Sequence, residues 1–392
     1  MKTHLISALA ATAAIVYSSS VQAQSESVLY NFPASAEPFA RLVIAPNGDL
    51  YGTTLYSGDS NQGTVFDLAE KRGKWTEHTR LAFDGNDGEY PRSGLTQDSS
   101  GALYGTTYKG GADGSGTVFE ITGPDQDTVL YSFTGGSDGQ NPLGDLVVDK
   151  TTGTIYGTTR SGGVAGCGTV FQLAKSGTSW EETTLYGFQG GADGCHLPSG
   201  LHESPDGALF GITSYGGTQN DGTVFELTEV AGIWSEIVLH RFAGGSDGAN
   251  PSDLDLDRQT GALFGVTSGG GSTGEGTAFE LSKVHKIWQE TIIFNFGTGD
   301  GIQPNGVHLD QATGILYGTT SYGGSAGSGT IFELSPNGGS WTENVLHNFG
   351  SQSGDGTHPW ARPTEDPTTG YLYGTTEAGG TNNGGTAYEI IP

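Results

Sequence analysis

The stretch Leu50-Tyr51-Gly52-Thr53-Thr54 is the first of seven copies of one motif, and the spacing of the copies decides the fold. Five copies end in Tyr-Gly-Thr-Thr, whereas the fourth ends in Phe-Gly-Ile-Thr and the fifth in Phe-Gly-Val-Thr. The copies begin at Leu50, Leu103, Ile155, Leu209, Leu263, Leu316 and Leu372. Successive copies are 53, 52, 54, 54, 53 and 56 residues apart. Self-similarity at a fixed period predicts a repeat architecture, and a period of about 50 residues is typical of propeller blades.

Each repeat contains three further apolar stretches. A Gly-rich loop leads from the motif to Gly-Thr-Val-Phe-Glu-Leu or a close relative, as at residues 63–68. A stretch of the form Val-Leu-Tyr-x-Phe comes next, and a weaker one around Leu95 or its equivalent leads into the next motif. All four are short, rich in β-branched and aromatic residues, and bounded by Gly, Asp, Asn or Pro, which predicts strands. We therefore expect an all-β chain that folds as a seven-bladed β-propeller of four-stranded antiparallel blades.

The phase of the repeat predicts how the ring closes. Connection lengths place the weak strand innermost and the Val-Leu-Tyr-x-Phe strand outermost in each blade. The seventh repeat stops after its third strand, whereas residues 27–32 form an outermost strand without a blade of its own. We therefore expect residues 28–32 to pair with residues 385–390 and complete the last blade, because closure leaves no open sheet edge.

The chain begins with the features of a secretory signal peptide. A short polar start precedes an apolar run of about 13 residues, and Val21 and Ala23 provide the small side chains that precede a cleavage site. The run is too short to span a bilayer. We expect residues 1–23 to be removed and residues 24–392 to form the propeller, in the periplasm or the extracellular space.

The charge balance excludes several classes of partner. The chain has 43 Asp and Glu residues against 16 Lys and Arg residues, so its formal net charge is −27. Such a surface repels phosphate backbones and anionic lipid headgroups, which argues against binding to nucleic acids and membranes. We expect the protein to be a monomer.

The repeat resembles the GloVer tandem repeat of bacterial exported proteins. The resemblance covers nearly all of residues 27–391 and rests on Leu-Tyr-Gly-Thr-Thr, the Gly-Gly loops and Gly-Thr-Val-Phe-Glu-Leu as they stand in this sequence. It implies export but no particular activity. Some relatives carry a C-terminal sorting or anchoring segment, and because this chain stops at Pro392 we expect release rather than attachment.

Two cysteines, Cys167 and Cys195, are present. The first lies in a Gly-Gly loop and the second in a loop that crosses to the next repeat. Because neighbouring strands alternate in direction, both kinds of loop emerge on one face of the ring. In an exported protein we expect a disulfide rather than a redox or metal pair, and two free thiols are the alternative.

Ligand binding is expected where the seven copies differ, because residues common to all of them build the blades. Trp360 alone brings a Trp to the position after the crossing-loop Pro. The equivalent positions hold Phe39, Arg92, Leu143, Ser199, Ser252 and Asn305. An aromatic ring at the channel mouth is suited to stacking on a sugar. The candidate ligand-binding residues are Trp360, Arg362, His358, Arg92 and Arg41, and the alternative is that Trp360 only plugs the channel.

Two sets of residues have the chemistry of metal ligands. His202, Asp255 and His308 share one position in three successive inner strands, and imidazoles with a carboxylate suit a transition metal. The crossing loops also repeat an Asp-Gly turn, and carboxylates suit calcium. The aspartates of these turns are Asp87, Asp138, Asp193, Asp247, Asp300 and Asp355. Polar packing between blades and tight-turn chemistry are the simpler explanations, so we expect no metal and no other cofactor.

Three functions remain open at this point. The first is a secreted recognition module for a carbohydrate or a cell-surface protein, because no convincing nucleophile or acid–base pair is visible. The second is a glycan-active hydrolase or lyase, for which Glu203, Asp255 and Glu365 on the inner strands are possible carboxylates. The third is a structural envelope protein. Fold alone does not choose among them, and we favour binding without catalysis.

Overall fold

The computed structural model describes residues 25–123 and 126–392, so the predicted signal peptide lies outside the described residues. Seven antiparallel sheets of four strands form the ring, which confirms the predicted seven-bladed propeller. In every blade the strand order is the predicted one, from the short strand at the channel to the Val-Leu-Tyr-x-Phe strand at the rim. A single 3-10 turn, Gly245–Asp247, interrupts the otherwise all-β architecture of the described residues. No helix in this part of the chain is long and apolar enough to cross a membrane.

The strands of the first four blades have the following bounds, from the innermost outward. Blade 1 consists of Val43–Ile44, Leu50–Thr54, Thr64–Lys71 and Lys74–Ala82. Blade 2 consists of Thr96–Gln97, Leu103–Thr107, Thr117–Gly123 and Gln126–Ser132. Blade 3 consists of Gln140–Pro142 with Val147–Val148, then Ile155–Ser161, Thr169–Ser176 and Ser179–Gly187. Blade 4 consists of His202–Glu203, Leu209–Thr213, Thr223–Val230 and Ile233–Arg241.

The last three blades continue the pattern. Blade 5 consists of Ala249–Leu256, Leu263–Gly269, Thr277–Val284 and Ile287–Asn295. Blade 6 consists of Ile302–Leu309, Leu316–Tyr322, Thr330–Asn337 and Ser340–Asn348. Blade 7 consists of Thr364–Glu365, Leu372–Thr376, Thr386–Ile391 and the N-terminal strand Ser25–Asn31. A short ribbon of Gly356–Thr357 and Ala378–Gly379 lies beside blade 7.

The innermost strands differ in length from blade to blade. In blade 5, one extra residue between Pro251 and Asp253 forms a β-bulge, and the strand runs through it. In blade 3, the pairing jumps from Pro142 to Val147 while the partner strand advances by only three residues. Two extra residues break the ladder there, which leaves two short strands.

The N-terminal strand closes the ring as predicted. Ser25–Asn31 pairs antiparallel with Thr386–Ile391, from Ser25 opposite Ile391 to Asn31 opposite Thr386. One register shift occurs between Val28 and Tyr30. The backbone N–H of Phe32 then donates to the carbonyl of Gly385 at 3.0 Å. The first and last segments of the described chain therefore belong to one sheet.

The glycine of the repeated motif is required by the packing of the blade core. The Phe of Gly-Thr-Val-Phe lies across it, so that a Cβ on Gly157 would stand 2.4 Å from Cζ of Phe171. Phe171 also meets Phe133, which directly follows the outermost strand of the previous blade, with ring centroids 5.1 Å apart. The same pair recurs at every blade interface, with Tyr388 taking the place of Phe in blade 7.

The five repeated tryptophans also pack between blades. Trp288, for example, lies edge-on to Phe210 of the previous blade with ring centroids 6.2 Å apart. Trp234 and Trp341 make the same contact with Tyr156 and Phe264. These residues are part of the scaffold, as expected from their regular recurrence.

Cys167 and Cys195 form the predicted disulfide. The bond joins the Gly-Gly loop of blade 3 to the crossing loop that leads to blade 4, and the N–H of His196 donates to the carbonyl of Cys167 at 2.8 Å beside it. It therefore ties two loops of one face together across a sequence separation of 28 residues.

We expect the double substitution Cys167→Ser and Cys195→Ser to lower the free energy of unfolding by about 3.5 kcal/mol, since the cross-link restricts the unfolded chain over a loop of this length. Denaturant unfolding measures the change. Reduced wild-type protein should shift as far as the double variant, whereas reduction of the double variant should change nothing. Equal stability of the oxidised wild type and the variant would contradict the expectation.

Candidate functional site

The innermost strands surround a central channel. On the face that carries the crossing loops and the Gly-Gly loops, the channel begins with a cavity of about 140 Å³, whose opening we call the loop-face mouth. All seven residues that follow a crossing-loop Pro line it. They are Phe39, Arg92, Leu143, Ser199, Ser252, Asn305 and Trp360. The positions at which the repeats differ thus come together in one place.

One side of the mouth is aromatic. The rings of Trp360 and Phe39 stack, with centroids 5.3 Å apart and planes inclined by 19°. The guanidinium carbon of Arg92 lies 5.6 Å from the centroid of Phe39 and 5.0 Å from that of Tyr108. Nε1 of Trp360 donates to Oε2 of Glu377 at 2.6 Å, which fixes the indole in its plane. Blades 7, 1 and 2 therefore present a continuous, preorganised wall.

Arg92 forms no ion pair within this wall, although its charge opposes the rise in the pKa of Glu37 that burial and Glu377 cause. In the described part of the chain, the arginines with a carboxylate oxygen within 4.0 Å are Arg41, Arg80 and Arg362. Nε of Arg92 is buried and has no hydrogen-bond partner among the described residues. A guanidinium in this state is a donor for a planar anion such as a carboxylate.

The opposite side of the mouth is polar and made of small residues. Ser199 and Asn305 come from blades 4 and 6, and Ser252 lies between them in blade 5. The Ser252 hydroxyl donates to the carbonyl of Pro304 at 2.7 Å, so it is occupied by the scaffold. The amide of Asn305 donates to the hydroxyl of Ser321, which orients its carbonyl oxygen. Hydroxyl and amide groups therefore face the aromatic wall across the cavity.

His358 is the one predicted ligand residue that does not line this cavity. Its ring packs edge-on against Tyr322, with centroids 5.0 Å apart, and its backbone has a positive φ of 58°. The loop bends there and carries the side chain away from the opening. Of the other four, Trp360 and Arg92 form the wall, whereas Arg41 and Arg362 lie deeper in the channel.

Arg41 and Arg362 belong to a layer of charges that crosses the channel. Arg41 pairs with Asp145, whose carboxylate also accepts the N–H of Gly94 at 2.6 Å. Nη2 of Arg362 lies 3.9 Å from the same carboxylate, and its Nη1 lies 4.0 Å from Asp255. Residues from blades 1, 3, 5 and 7 thus meet on the axis of the ring.

The predicted metal-ligand set forms the next layer. Nδ1 of His202 and Nδ1 of His308 lie 3.4 Å and 3.5 Å from the Asp255 carboxylate, and Nε2 of His308 lies 3.2 Å from Glu365. The N–H of Leu309 also donates to Asp255 at 2.9 Å. The ligand atoms of the two histidines and Asp255 do not all lie within 4.8 Å of one another. This arrangement supports polar packing between blades as the role of these residues.

Burial and neighbouring charges set the protonation of the ionisable residues in these two layers. Burial raises the pKa of Asp253 to about 6 and lowers that of His202 to about 4, so His202 is neutral at pH 7. Burial also opposes ionisation of Asp255, but the hydrogen bond from His308 and the nearby His202 and Arg362 hold its pKa well below the usual range. Hydrogen bonds to Asp255 and Glu365 raise the pKa of His308 in spite of its burial. We call the residues Arg41, Asp145, His202, Asp253, Asp255, His308 and Arg362 the charged belt.

Sequence reasoning missed Asp145 and Asp253, although a signal for both is present. The residue before the apolar position of the innermost strand alternates between charge and glycine around the ring. In chain order it is Arg41, Gly94, Asp145, Gly200, Asp253, Gly306 and Arg362. The glycines provide the space, since a Cβ at Gly94 would lie 2.7 Å from Cγ of Arg41 and 2.8 Å from Oδ1 of Asp145.

The aspartates of the crossing loops serve the turns. Asp138 accepts the N–H and hydroxyl of Thr134 at 2.7 Å and 2.6 Å and the N–H of Gly136 at 3.1 Å. Four more of these aspartates accept a backbone N–H from the start of their own loop. They are Asp87, Asp193, Asp247 and Asp355. This pattern supports turn chemistry rather than calcium binding at these positions.

The three carboxylates considered for glycan hydrolysis do not face one common cleft. Glu203 lines one cavity at the far end of the channel, and Asp255 and Glu365 line another. Asp255 and Glu365 are both engaged by His308. None of the three lines the loop-face mouth.

Solved structures with the same fold come from several lineages. A candidate 6-phosphogluconolactonase from Bacteroides uniformis is 16% identical, with a TM-score of 0.53, 79% of this chain covered and 84% of the other. A hypothetical selenium-binding protein from Sulfolobus tokodaii is 11% identical, with a TM-score of 0.57, 79% of this chain covered and 80% of the other. The extracellular domain of a candidate one-component system from B. thetaiotaomicron is 11% identical, with a TM-score of 0.56, 91% of this chain covered and 39% of the other. At these identities the similarity shows the fold alone.

The sequence comparisons are more specific. No curated protein matches this chain significantly. A family model described as the Gloeobacter/Verrucomicrobia repeat matches residues 38–254 and 197–392, which together include every copy of the motif. This match confirms the resemblance inferred from Leu-Tyr-Gly-Thr-Thr and its companion motifs. The chain therefore belongs to the Gloeobacter/Verrucomicrobia repeat family.

Proposed function

We propose that this protein is an exported recognition module that binds a carboxylate-bearing sugar residue in the loop-face mouth. The observation that carries the proposal is the two-sided lining of the mouth. Trp360 and Phe39 offer aromatic faces on one side, and Ser199 and Asn305 offer hydrogen-bonding groups on the other. A pyranose has the matching chemistry, with an apolar ring face and a periphery of hydroxyl groups.

Arg92 supports an acidic rather than a neutral sugar. Its guanidinium is held against Phe39 and Tyr108 at the edge of the aromatic wall. A uronate stacked on the wall would bring its carboxylate to this group, which has no carboxylate within 4.0 Å in the described chain. A bidentate pair between guanidinium and carboxylate would add both affinity and orientation. The small volume of the cavity suits one sugar residue or a chain end.

Export is the second part of the proposal. The disulfide between Cys167 and Cys195 suits an oxidising compartment, in agreement with the predicted signal peptide. The acidic surface, with a net charge of −27, favours solubility outside the cell. Arg41, Arg92 and Arg362 line the cavity behind the loop-face mouth, so three of the eight arginines lie where an anionic ligand would enter.

The test is binding to matched glycans. We expect the mature protein to bind oligogalacturonate or another uronate oligomer more tightly than the neutral counterpart. Trp360→Ala should weaken both kinds of binding about 5- to 30-fold, since stacking contributes about 1–2 kcal/mol. Arg92→Met should weaken only the binding of the uronate. Calorimetric titration of each variant with both glycans measures the effects.

Trp180→Ala is the matched control, because it removes the same side chain from the scaffold far from the mouth, where Trp180 packs against Lys175 and the core between blades 2 and 3. It should bind as the wild type does. If Arg92→Met binds the uronate oligomer as tightly as the wild type does, Arg92 does not recognise the carboxylate of the sugar. Release of cleaved product during incubation would favour the glycan-active enzyme, and failure to bind any glycan would favour a cell-surface protein partner or a structural role.

A further inference from the structure

A cluster of three metal-ligand side chains lies where the ring closes, far from the channel. Glu26 belongs to the N-terminal strand of blade 7, His347 to the outermost strand of blade 6, and Asp355 to the loop that connects these blades. One imidazole nitrogen and two carboxylate oxygens of these residues lie within 4.8 Å of one another. The cluster therefore joins the first strand of the described chain to its neighbouring blade.

The equivalent place between blades 2 and 3 shows how the scaffold satisfies such an aspartate without a cation. Tyr131 stands there in the position of His347, and its hydroxyl donates to Asp138 at 3.1 Å. Thr134 donates twice to the same carboxylate, and the N–H of Gly136 donates to it as well. Both oxygens of Asp138 are therefore hydrogen bonded.

Asp355 accepts fewer hydrogen bonds than Asp138, although it is only 7% exposed. Its Oδ2 accepts hydrogen bonds from His347 at 3.0 Å and from the N–H of Ser351 at 3.2 Å. Its Oδ1 is buried and has no hydrogen-bond partner among the described residues, which sets it apart from the other crossing-loop aspartates. Oε1 of Glu26 is also buried without a partner in the described chain, as are the equivalent oxygens of Glu236, Glu290 and Glu343. Gly350 occupies the position of Thr134, so the hydroxyl that would satisfy the carboxylate is missing. Two buried carboxylate oxygens without donors are costly, and a bound cation removes that cost.

We propose that Glu26, His347 and Asp355 bind a divalent transition-metal ion, best matched by Zn²⁺, and that this ion fastens the N-terminal strand to blade 6. One imidazole and two carboxylates are ligands that Zn²⁺ accepts, with water completing a four-coordinate site. Calcium requires six to eight oxygen ligands, so the imidazole argues against it. The two buried carboxylates also supply the negative charge that balances the ion.

A second group offers an internal comparison. His240, Asp247 and Glu290 repeat the same ligand types between blades 4 and 5, and Oε1 of Glu290 is also buried without a partner among the described residues. Asp247 is more open to solvent, however, with 25% of its side chain exposed against 1% for Asp355. We expect this group to bind Zn²⁺ more weakly, because water competes for the exposed carboxylate.

The experiment uses the mature protein without an affinity tag, stripped with EDTA and titrated with ZnCl₂. Bound zinc is measured after gel filtration, and stability is measured by denaturant unfolding. We expect one tightly held Zn²⁺ per chain at low micromolar zinc and a weaker second one. With free Zn²⁺ at about 100 times its Kd, the unfolding equilibrium should shift about a hundredfold toward the folded state.

Substitutions separate the two groups. His347→Tyr introduces the side chain found at Tyr131, so the variant should fold, and it should lose the tight zinc and its stabilisation. His240→Tyr should lose only the weaker zinc. Glu26→Gln keeps the shape of the strand and should weaken the tight site at least tenfold. Retention of tight zinc by both His347→Tyr and Glu26→Gln, or no zinc bound by the wild type, would overturn the proposal.

Discussion

Deleting residues 25–31 is expected to abolish cooperative folding of the ring. These residues form the outermost strand of blade 7 and align six residue pairs with Thr386–Ile391. At about 1 kcal/mol for each backbone hydrogen bond, the loss is on the order of 5 kcal/mol, which is comparable to the whole stability of many domains. The deletion also uncovers the edge of the last strand, and an open edge promotes aggregation. Denaturant unfolding and size-exclusion chromatography measure both consequences.

A circular permutant is the matched control for this deletion. It begins at Pro33 and carries residues 25–32 after Ile391, joined by Asn-Gly, which suits a two-residue hairpin turn. Because Ser25 already lies opposite Ile391, a hairpin turn between them should let the strand pair in its original register, now connected to the chain through Ser25 instead of through Phe32. The permutant should remain monomeric and regain most of the stability. A deletion variant as stable as the parent would show that the ring does not depend on this strand.

Arg362→Met should lower the free energy of unfolding by about 3 kcal/mol, because it removes a buried cation that three carboxylates of the charged belt share. Arg362 is only 19% exposed, and its guanidinium lies 3.9 Å and 4.0 Å from Asp145 and Asp255. Asp253 also contributes to the positive shift of the Arg362 pKa, so three acidic groups depend on this charge. Methionine keeps the length of the side chain and removes the charge. The denaturant midpoint of the variant measures the loss.

Arg258→Met is the control that shows how much of the lost stability depends on burial of the arginine. Arg258 lines the far end of the same channel but is exposed, so its loss should change stability by less than about 0.5 kcal/mol. Adding Asp255→Asn to Arg362→Met should restore part of the lost stability, since fewer carboxylates then lack a partner. Strictly additive losses in that double variant would contradict the proposed coupling between Arg362 and Asp255.

Much of the site could be located from the sequence, but its chemistry could not be read there. The residues that follow each crossing-loop Pro were predicted at the channel mouth, and the structure places all seven of them there. That Trp360 stacks on Phe39, 321 positions earlier in the chain, depends on the closure of the ring. His358, only two residues before Trp360, was grouped with it by proximity in sequence, whereas a bend with positive φ carries its side chain to Tyr322.

The charged belt shows the same limit. His202, Asp255 and His308 were recognised as one register position, and they do meet in one layer. Their partners Asp145 and Arg362 come from other blades and a neighbouring register, so the pattern along any single strand does not connect them. The alternation of charged residues with Gly94, Gly200 and Gly306 was visible in the sequence, but its meaning depends on how closely inner strands approach across the axis.

The sequence by itself determined the number of blades, the order of strands within each blade and the closing strand. These features follow from local periodicity, because each repeat is one supersecondary unit that must bury the same apolar face against its neighbours. Only the tertiary structure decided how the residues at the mouth contact one another, which charged side chains meet in the channel, and that Glu26 comes together with His347 and Asp355. Arg41 contacts Asp145, which lies 104 residues later in the chain, and Glu26 approaches Asp355, which lies 329 residues later. Such contacts depend on ring curvature and on small differences in loop length, so the repeat period alone does not say which of these side chains pair.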